Sequence, residues 1–466
     1  MLFSSITFLY YFLPVVLFLY YLLPGFLKNV WLLLASLFFY GWGEPVFVLW
    51  MILAILFAYI AGLLIEKYRK STKGRWIFAV SVLCSIGYLG VFKYADFFME
   101  NVNGLTGLNL PLPGIGLPIG ISFYTFQLMS YLIDVHRGNV KARKDLISFA
   151  LYISMFPQLI AGPIVRYIDI EKQLDHREVH FYNIENGVGR FIIGLSKKVI
   201  LANPLGELCE IVKASSDLSV LYLWLYGFCF ALHIYFDFSG YSDMAIGIGK
   251  MLGFDFIENF NYPYISTSIS EFWRRWHMSL GTWFRDYVYI PLGGNRVPLG
   301  RFCLNIFIVW FLTGFWHGAG WNFIIWGLYF GILLVIEKFW LGKYINKAKG
   351  WNHMYVLFFI IISFVIFDGT DSARLLYFLK GMFGGAELPV ISAEFLYYIR
   401  NYGVLILLSC FAALPVGKHF YGKIKESLGQ KRWFEIVEGI GLIMLLLLVT
   451  AYLVDGSFNP FLYFRF

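Results

Sequence analysis

Gly314-Phe315-Trp316-His317-Gly318-Ala319-Gly320-Trp321-Asn322 places one imidazole at a glycine-rich break between two apolar runs, residues 302–316 and 321–336. The flanks are too apolar for a solvated loop, and each approaches the roughly 20 residues that a helix needs to cross a bilayer. His317 is therefore expected inside a membrane. Irregular backbone at that depth is tolerated only where protein or a water-filled cavity covers it, and an ionisable side chain there marks a site. His317 is accordingly the catalytic candidate. The bland alternative is a Gly314-xxx-Gly318 helix-packing motif with an incidental histidine.

Working outward, composition carries the same reading. Of 466 residues, 59% are hydrophobic, 21% aromatic and only 14% charged, which is the composition of an all-α polytopic membrane protein. At about 20 residues per span plus connections, the length allows about ten to twelve transmembrane helices with additional re-entrant or interfacial helices. One transmembrane domain over residues 1–466 is expected, with no room for a sizeable soluble one. The 37 Lys and Arg exceed the 29 Asp and Glu, giving +8, a balance that reflects basic cytoplasmic loops rather than nucleic-acid binding. Cys84, Cys209, Cys229, Cys303 and Cys410 stand singly, without CxxC or metal-ligand spacing, and read as reduced core residues. Residues 6–24 lack a basic segment before them and a small-residue cleavage site after them, so they read as a retained first span.

Basic clusters orient the chain. Lys67-Tyr68-Arg69-Lys70, Lys73 and Arg75 follow the apolar run 45–65 and should be cytoplasmic. Counting back through 29–42 and 6–23 puts the N-terminus outside. Counting forward, 76–92 exits, the Gly/Pro-rich stretch 104–116 lies outside, and 119–133 returns to Arg137, Lys141, Arg143 and Lys144. Lys418, Lys423, Lys425, Lys431 and Arg432 form another cytoplasmic loop, and 436–454 is the last span, which puts the C-terminus outside. Residues 150–162, broken by Pro157 and Gly162-Pro163, and residues 271–294 resist this counting and suggest re-entrant or interfacial helices. No internal repeat is visible, which disfavours an inverted-repeat transporter.

Polar constellations gather between residues 230 and 325. His233 and Asp237 share a helix face at i, i+4; either the carboxylate orients the imidazole, or the two satisfy one another as membrane-helix glue. The aromatic and basic run Phe272-Trp273-Arg274-Arg275-Trp276-His277, followed by Trp283-Phe284-Arg285-Asp286-Tyr287, suits a phosphorylated ligand held by charge-assisted contacts while rings stack on a base. The alternative is an aromatic belt with snorkelling arginines.

Residues 259–296, NFNYPYISTSISEFWRRWHMSLGTWFRDYVYIPLGGNR, and 312–331, LTGFWHGAGWNFIIWGLYFG, together resemble the membrane-bound O-acyltransferase (MBOAT) superfamily, most closely its bacterial alginate O-acetyltransferase branch. The D-alanine transferases of teichoic acid are more distant relatives. The resemblance extends to FSSITFLYYFLPVVLFLYYLLP near the start and FPQLIAGPIVRY at 156–167. It implies helices around a central tunnel, a motif-bearing core at about 117–340, and an enzyme transferring acetyl from acetyl-CoA, as co-substrate without a metal, across a bacterial cell membrane to an extracytoplasmic polysaccharide. A separate extracytoplasmic acetyltransferase partner, of the SGNH kind, is implied to complete the transfer. The family's intramembrane histidine falls on His317 and its second histidine on His277, which is expected to line the tunnel.

Imidazole is neutral near pH 7 and accepts a proton in the transition state, so His317 serves as base or as nucleophile. Trp316, Trp321 and Asn322 are expected to shape the chamber, with Asn322 a possible donor to an oxyanion. Arg274, Arg275 and Arg285 are the expected contacts to CoA phosphates. Other readings are acyl transfer to a lipid, teichoic acid or protein, or a transporter or flippase. In the aromatic tail, residues 455–466, Tyr463 is either an interfacial anchor or a tethered acyl relay.

Overall fold

The computed structural model describes residues 1–345, 347–348, 350–429 and 431–456, and among these the chain is helical, without a strand. Eight of the described helices are long and apolar enough to cross a bilayer: Phe47–Tyr68, Thr72–Thr106, Val220–Met251, Leu299–His317, Trp321–Ile345, Trp351–Asp368, Ala393–Ala412 and Arg432–Asp455. The expected early runs 6–23 and 29–42 are the shorter apolar helix Phe8–Leu22 and the helix Gly25–Gly43. Thr72–Thr106 overshoots the expected exit at residue 92: its 35 residues span roughly 52 Å at 1.5 Å per residue, against a hydrocarbon core of about 30 Å. It stops at Gly107, whose φ of 72° is left-handed and costs glycine little. Cys84 sits on this helix and is exposed, so the expectation that every cysteine is buried in the core fails there. Its position falls on the outward face of a single long helix.

The helices pack into two compact units, each discontinuous in sequence: Met1–Phe191 with Ser242–Glu258 and Arg285–Tyr287, and Ile192–Tyr241 with Asn259–Phe284 and the chain from Val288 onward. In the first unit the segment 150–162 is broken as its prolines require. Leu146–Ser154, capped by Asp145, which accepts from Ile147 and Ser148 N–H, gives way to the short helix Phe156–Leu159. The break is buried, and its freed Phe156 N–H donates to Ser36 Oγ at 3.2 Å, so the backbone is covered by protein as a dry interior demands. Phe156 itself is ringed by Phe3, Phe8, Phe12 and Phe39, with centroids 5.4 to 6.4 Å away.

In the second unit, Leu299–His317 and Trp321–Ile336 form a hairpin whose backbones touch at two glycines. A Cβ on Gly314 would lie 2.2 Å from Phe323 O, and one on Gly327 would lie 2.3 Å from Trp310 O. Backbone atoms cannot step aside as a flexible side chain can, so small residues are required at this crossing. Gly327→Ala is therefore expected to destabilise the detergent-solubilised protein by about 1–3 kcal/mol, the usual range for overpacking. An unchanged thermal midpoint in that variant would show that the crossing tolerates a side chain.

The π turn Lys197–Ala202 brings Lys198 Nζ to 2.5 Å from Asp237 Oδ1, with side-chain exposures of 2% and 1%. His233 Nδ1–H donates instead to Ala202 O at 2.8 Å. Asp237 thus has an ion-pair partner beyond its i, i+4 neighbour His233, a lysine on another helix. A charge-assisted bond in a dry interior outweighs one to neutral imidazole.

Candidate active site

His317 is the last residue of Leu299–His317 and is 6% exposed. Three aromatic rings meet it steeply inclined: Trp316 at 5.0 Å, Trp326 at 5.1 Å and Phe367 at 5.3 Å between centroids. Such a cage is apolar, and the neutral imidazole is the form able to take a proton or attack a carbonyl carbon. Trp326 projects from the second arm of the hairpin, so the Gly314–Gly327 crossing fixes its distance from His317. Phe367 belongs to Trp351–Asp368 and is held by Asn322, whose Nδ2 donates to Phe367 O at 2.7 Å. Asn322 therefore braces the cage wall, with an amide N–H already committed to that carbonyl. Trp321, expected in the chamber wall, is 56% exposed; it opens its helix and faces outward.

The second motif folds against the first. Trp273, on the short helix Ile269–Arg275, packs on Trp310, Trp326 and Phe330 at 4.7, 5.5 and 4.8 Å. Glu337, remote in sequence, caps that helix: its carboxylate accepts from Ile269 N–H at 2.7 Å and Ser270 N–H at 3.0 Å. Sequence reading passed over Glu337, because nothing local links it to a helix start 68 residues earlier.

His277 is 1% exposed and takes the left-handed conformation, φ 45°, at a cost of about 1–2 kcal/mol for a residue with a Cβ. Asn259 holds it there. Its Oδ1 accepts from Ser279 N–H at 3.3 Å and Ser279 Oγ–H at 2.9 Å, and lies 3.1 Å from His277 Nδ1. A backbone N–H only donates, so the atom facing it is the amide oxygen, and His277 Nδ1 must carry the hydrogen. The Nε2 lone pair is left buried, with no hydrogen-bond partner among the described residues. Trp316 stands between the two imidazoles, 6.0 Å from His277 and 5.0 Å from His317.

The three expected phosphate-binding arginines divide between the units. Arg274 is exposed, and its Nε donates to Ser270 O at 3.2 Å. Arg275 pairs with Glu271 at 2.8 Å and donates to Asn261 O at 3.2 Å. Arg285 belongs to the first unit and has a carboxylate beside it, Asp286 Oδ1 at 2.7 Å. Asp286 also accepts from Arg166 Nη1 at 2.8 Å. Burial alone would raise the Asp286 carboxyl, but the guanidiniums of Arg285 and Arg166 outweigh it and hold the group below the usual carboxylate range. Tyr287 O–H extends this network by donating to Asp134 Oδ2 at 2.6 Å. Among the described residues no three His, Cys, Asp or Glu side chains gather as metal ligands would. Tyr463 lies outside the described residues.

Residues 32–379 match the MBOAT model, the membrane-bound O-acyltransferase family. The chain is 37% identical to the probable alginate O-acetylase AlgI of Azotobacter vinelandii, over 100% of both chains. It is 41% identical to the protein of that name from Pseudomonas aeruginosa, over 92% of this chain and 84% of that one. A peptidoglycan O-acetyltransferase of Helicobacter pylori is 32% identical over 100% of this chain and 98% of its own. Both histidines and the whole aromatic hairpin lie inside the matched stretch, so the buried imidazole with its tryptophan cage sits in an acyltransferase framework, and the chain belongs to the membrane-bound O-acyltransferase family.

Proposed function

We propose that this protein is an O-acetyltransferase of the bacterial cell membrane that takes acetyl from cytoplasmic acetyl-CoA and delivers it to an extracytoplasmic polysaccharide, with His317 as the catalytic residue. The observation that carries the reading is the His317 imidazole, buried at a helix end in a cage of Trp316, Trp326 and Phe367. Relatives named for O-acetylation of alginate and peptidoglycan support a glycan acceptor. As a base, His317 takes the proton of an acceptor hydroxyl while that oxygen bonds to the thioester carbon. The C–S bond then breaks, and the proton ends on the CoA thiolate. As a nucleophile, the imidazole bonds to the acyl carbon while the C–S bond breaks and CoA leaves as the thiol, carrying the imidazole's proton; the acceptor oxygen then displaces the imidazole, which takes up the hydroxyl proton. His277 lines the route beside Trp316. Both termini and the aromatic tail are assigned to the extracytoplasmic side, where a separate acetyltransferase completes the transfer.

The test uses inside-out membrane vesicles given acetyl-CoA labelled in the acetyl group, with thiol release and label in the polysaccharide fraction followed together. The reading requires His317-dependent thiol release, and its absence would remove acetyl-CoA as the donor. In the same assay Tyr463→Phe, which keeps the ring and deletes only the hydroxyl, is expected to release thiol at the wild-type rate. Loss of polysaccharide label in that variant assigns Tyr463 as an acyl relay, and unchanged label leaves it an aromatic anchor.

A further inference from the structure

Away from the histidines, a groove of about 450 Å³ is lined by Asn261, Tyr262, Arg275, Lys418, His419 and Lys423, with Glu426 as its acidic member. Three of the basic residues project from Val416–Leu428, a helix with no buried residue. Arg275 shares its charge with Glu271, and Lys425 on the same helix is 3.5 Å from Glu438. Among the described residues, neither Lys418 nor Lys423 forms an ion pair with a carboxylate. A concave surface with this surplus of cationic side chains suits an anion carrying several charges, since focused fields favour multiply charged ligands.

The groove is also joined to the buried imidazole. Asn261 N–H donates to Arg275 O and Met278 N–H donates to Asn259 O, both at 2.9 Å. This two-rung ladder makes one wall of the groove and the His277–Asn259 pair parts of the same strip of backbone. A ligand with phosphates at Lys418 and Lys423 therefore rests against the same strip of backbone that carries His277.

We propose that this groove holds the phosphorylated nucleotide end of the acyl donor, the 3′-phosphate and diphosphate of a CoA thioester, with Lys418 and Lys423 as the principal contacts and Arg275 at the edge nearest the imidazole. This rests on the acetyl-CoA reading above and moves the donor contacts from Arg274 and Arg285 to the helix Val416–Leu428.

The test compares the full-length wild-type protein in detergent with the double variant Lys418→Gln, Lys423→Gln, whose side chains are exposed; monodispersity and thermal midpoint confirm its fold. Binding of CoA, dephospho-CoA and adenosine 3′,5′-bisphosphate is measured by calorimetry. The expected result is wild-type preference for CoA over dephospho-CoA, competition by the bisphosphate, and a loss of about 10-fold in bisphosphate affinity in the double variant, as two solvated phosphate contacts allow. Equal bisphosphate affinity in the two proteins overturns the groove assignment alone. Failure of the wild type to bind either CoA or the bisphosphate overturns the donor reading itself. If the double variant instead loses retention of phosphatidylglycerol in mixed-lipid nanodiscs while bisphosphate binding stays intact, the groove is a lipid headgroup site and the proposal fails.

Discussion

His317→Ala is expected to lower acetyl transfer by about 10² to 10⁴-fold, roughly 3–5 kcal/mol of barrier, with the protein still inserted and folded. The size follows from what is removed. Trp316, Trp326 and Phe367 offer an acyl group apolar surface, and none of these three side chains can replace the imidazole as a proton acceptor. Truncation also empties a packed site, so thermal midpoint and rate must be measured on the same preparation. His317→Gln, which fills more of the space without supplying a base, serves as the second variant. Both variants should fail in thiol release as well as polysaccharide labelling, because the first step is lost. Full activity in well-folded His317→Ala would leave the imidazole a packing residue. His277→Ala is expected to keep partial activity, since its Nδ1–H is committed to Asn259; an equal loss at both positions would mean that the two imidazoles act as a unit.

The largest structural effect is expected at a pair with no assigned part in the chemistry. Lys198→Met should destabilise the protein by about 3–5 kcal/mol, because it leaves the Asp237 carboxylate in a dry interior without its cation. Lys198→Met with Asp237→Leu should recover much of that loss, since two apolar side chains replace an ion pair at 2% and 1% exposure and buried pairs are often dispensable as pairs. Heat-induced aggregation in detergent, followed by size-exclusion fluorescence, distinguishes the outcomes. A double variant no more stable than the single one would show that Lys198 and Asp237 each hold other elements in place independently.

These residues also show what the sequence could and could not disclose. Apolar runs located several helices within a few residues: the run 302–316 is Leu299–His317, and 321–336 is Trp321–Ile336. That information is local, carried by length and hydropathy. The His317 break was legible for the same reason, since glycines and an imidazole between two apolar runs contradict both a loop and a plain helix. Partners distant in the chain were not legible. Asp237 was read against His233, four residues away on the same helix, whereas Lys198 reaches it from a π turn that helical periodicity does not announce. Asn259 fixes the tautomer of His277 across 18 residues, and only the fold brings them together. The arginines were grouped because they are close in sequence. Asp286 had already claimed Arg285, and the uncompensated charge lay on a helix read as nothing more than a cytoplasmic loop.

The contact of Gly314 with Gly327 has a mechanical consequence. Two helices that meet backbone to backbone have no side-chain layer to shear, so the hairpin behaves as one stiff lever that can tilt but neither splay nor slide. Trp316, His317 and Trp326 ride on that lever together and keep their spacing through any tilt. The other side of the cage is Phe367, which stands on a separate helix, Trp351–Asp368, joined to the hairpin by the Asn322 amide and by Tyr329 O–H, which donates to Phe359 O at 2.9 Å. The cage is thus built from one rigid block, the hairpin, and from one ring carried by a helix of its own.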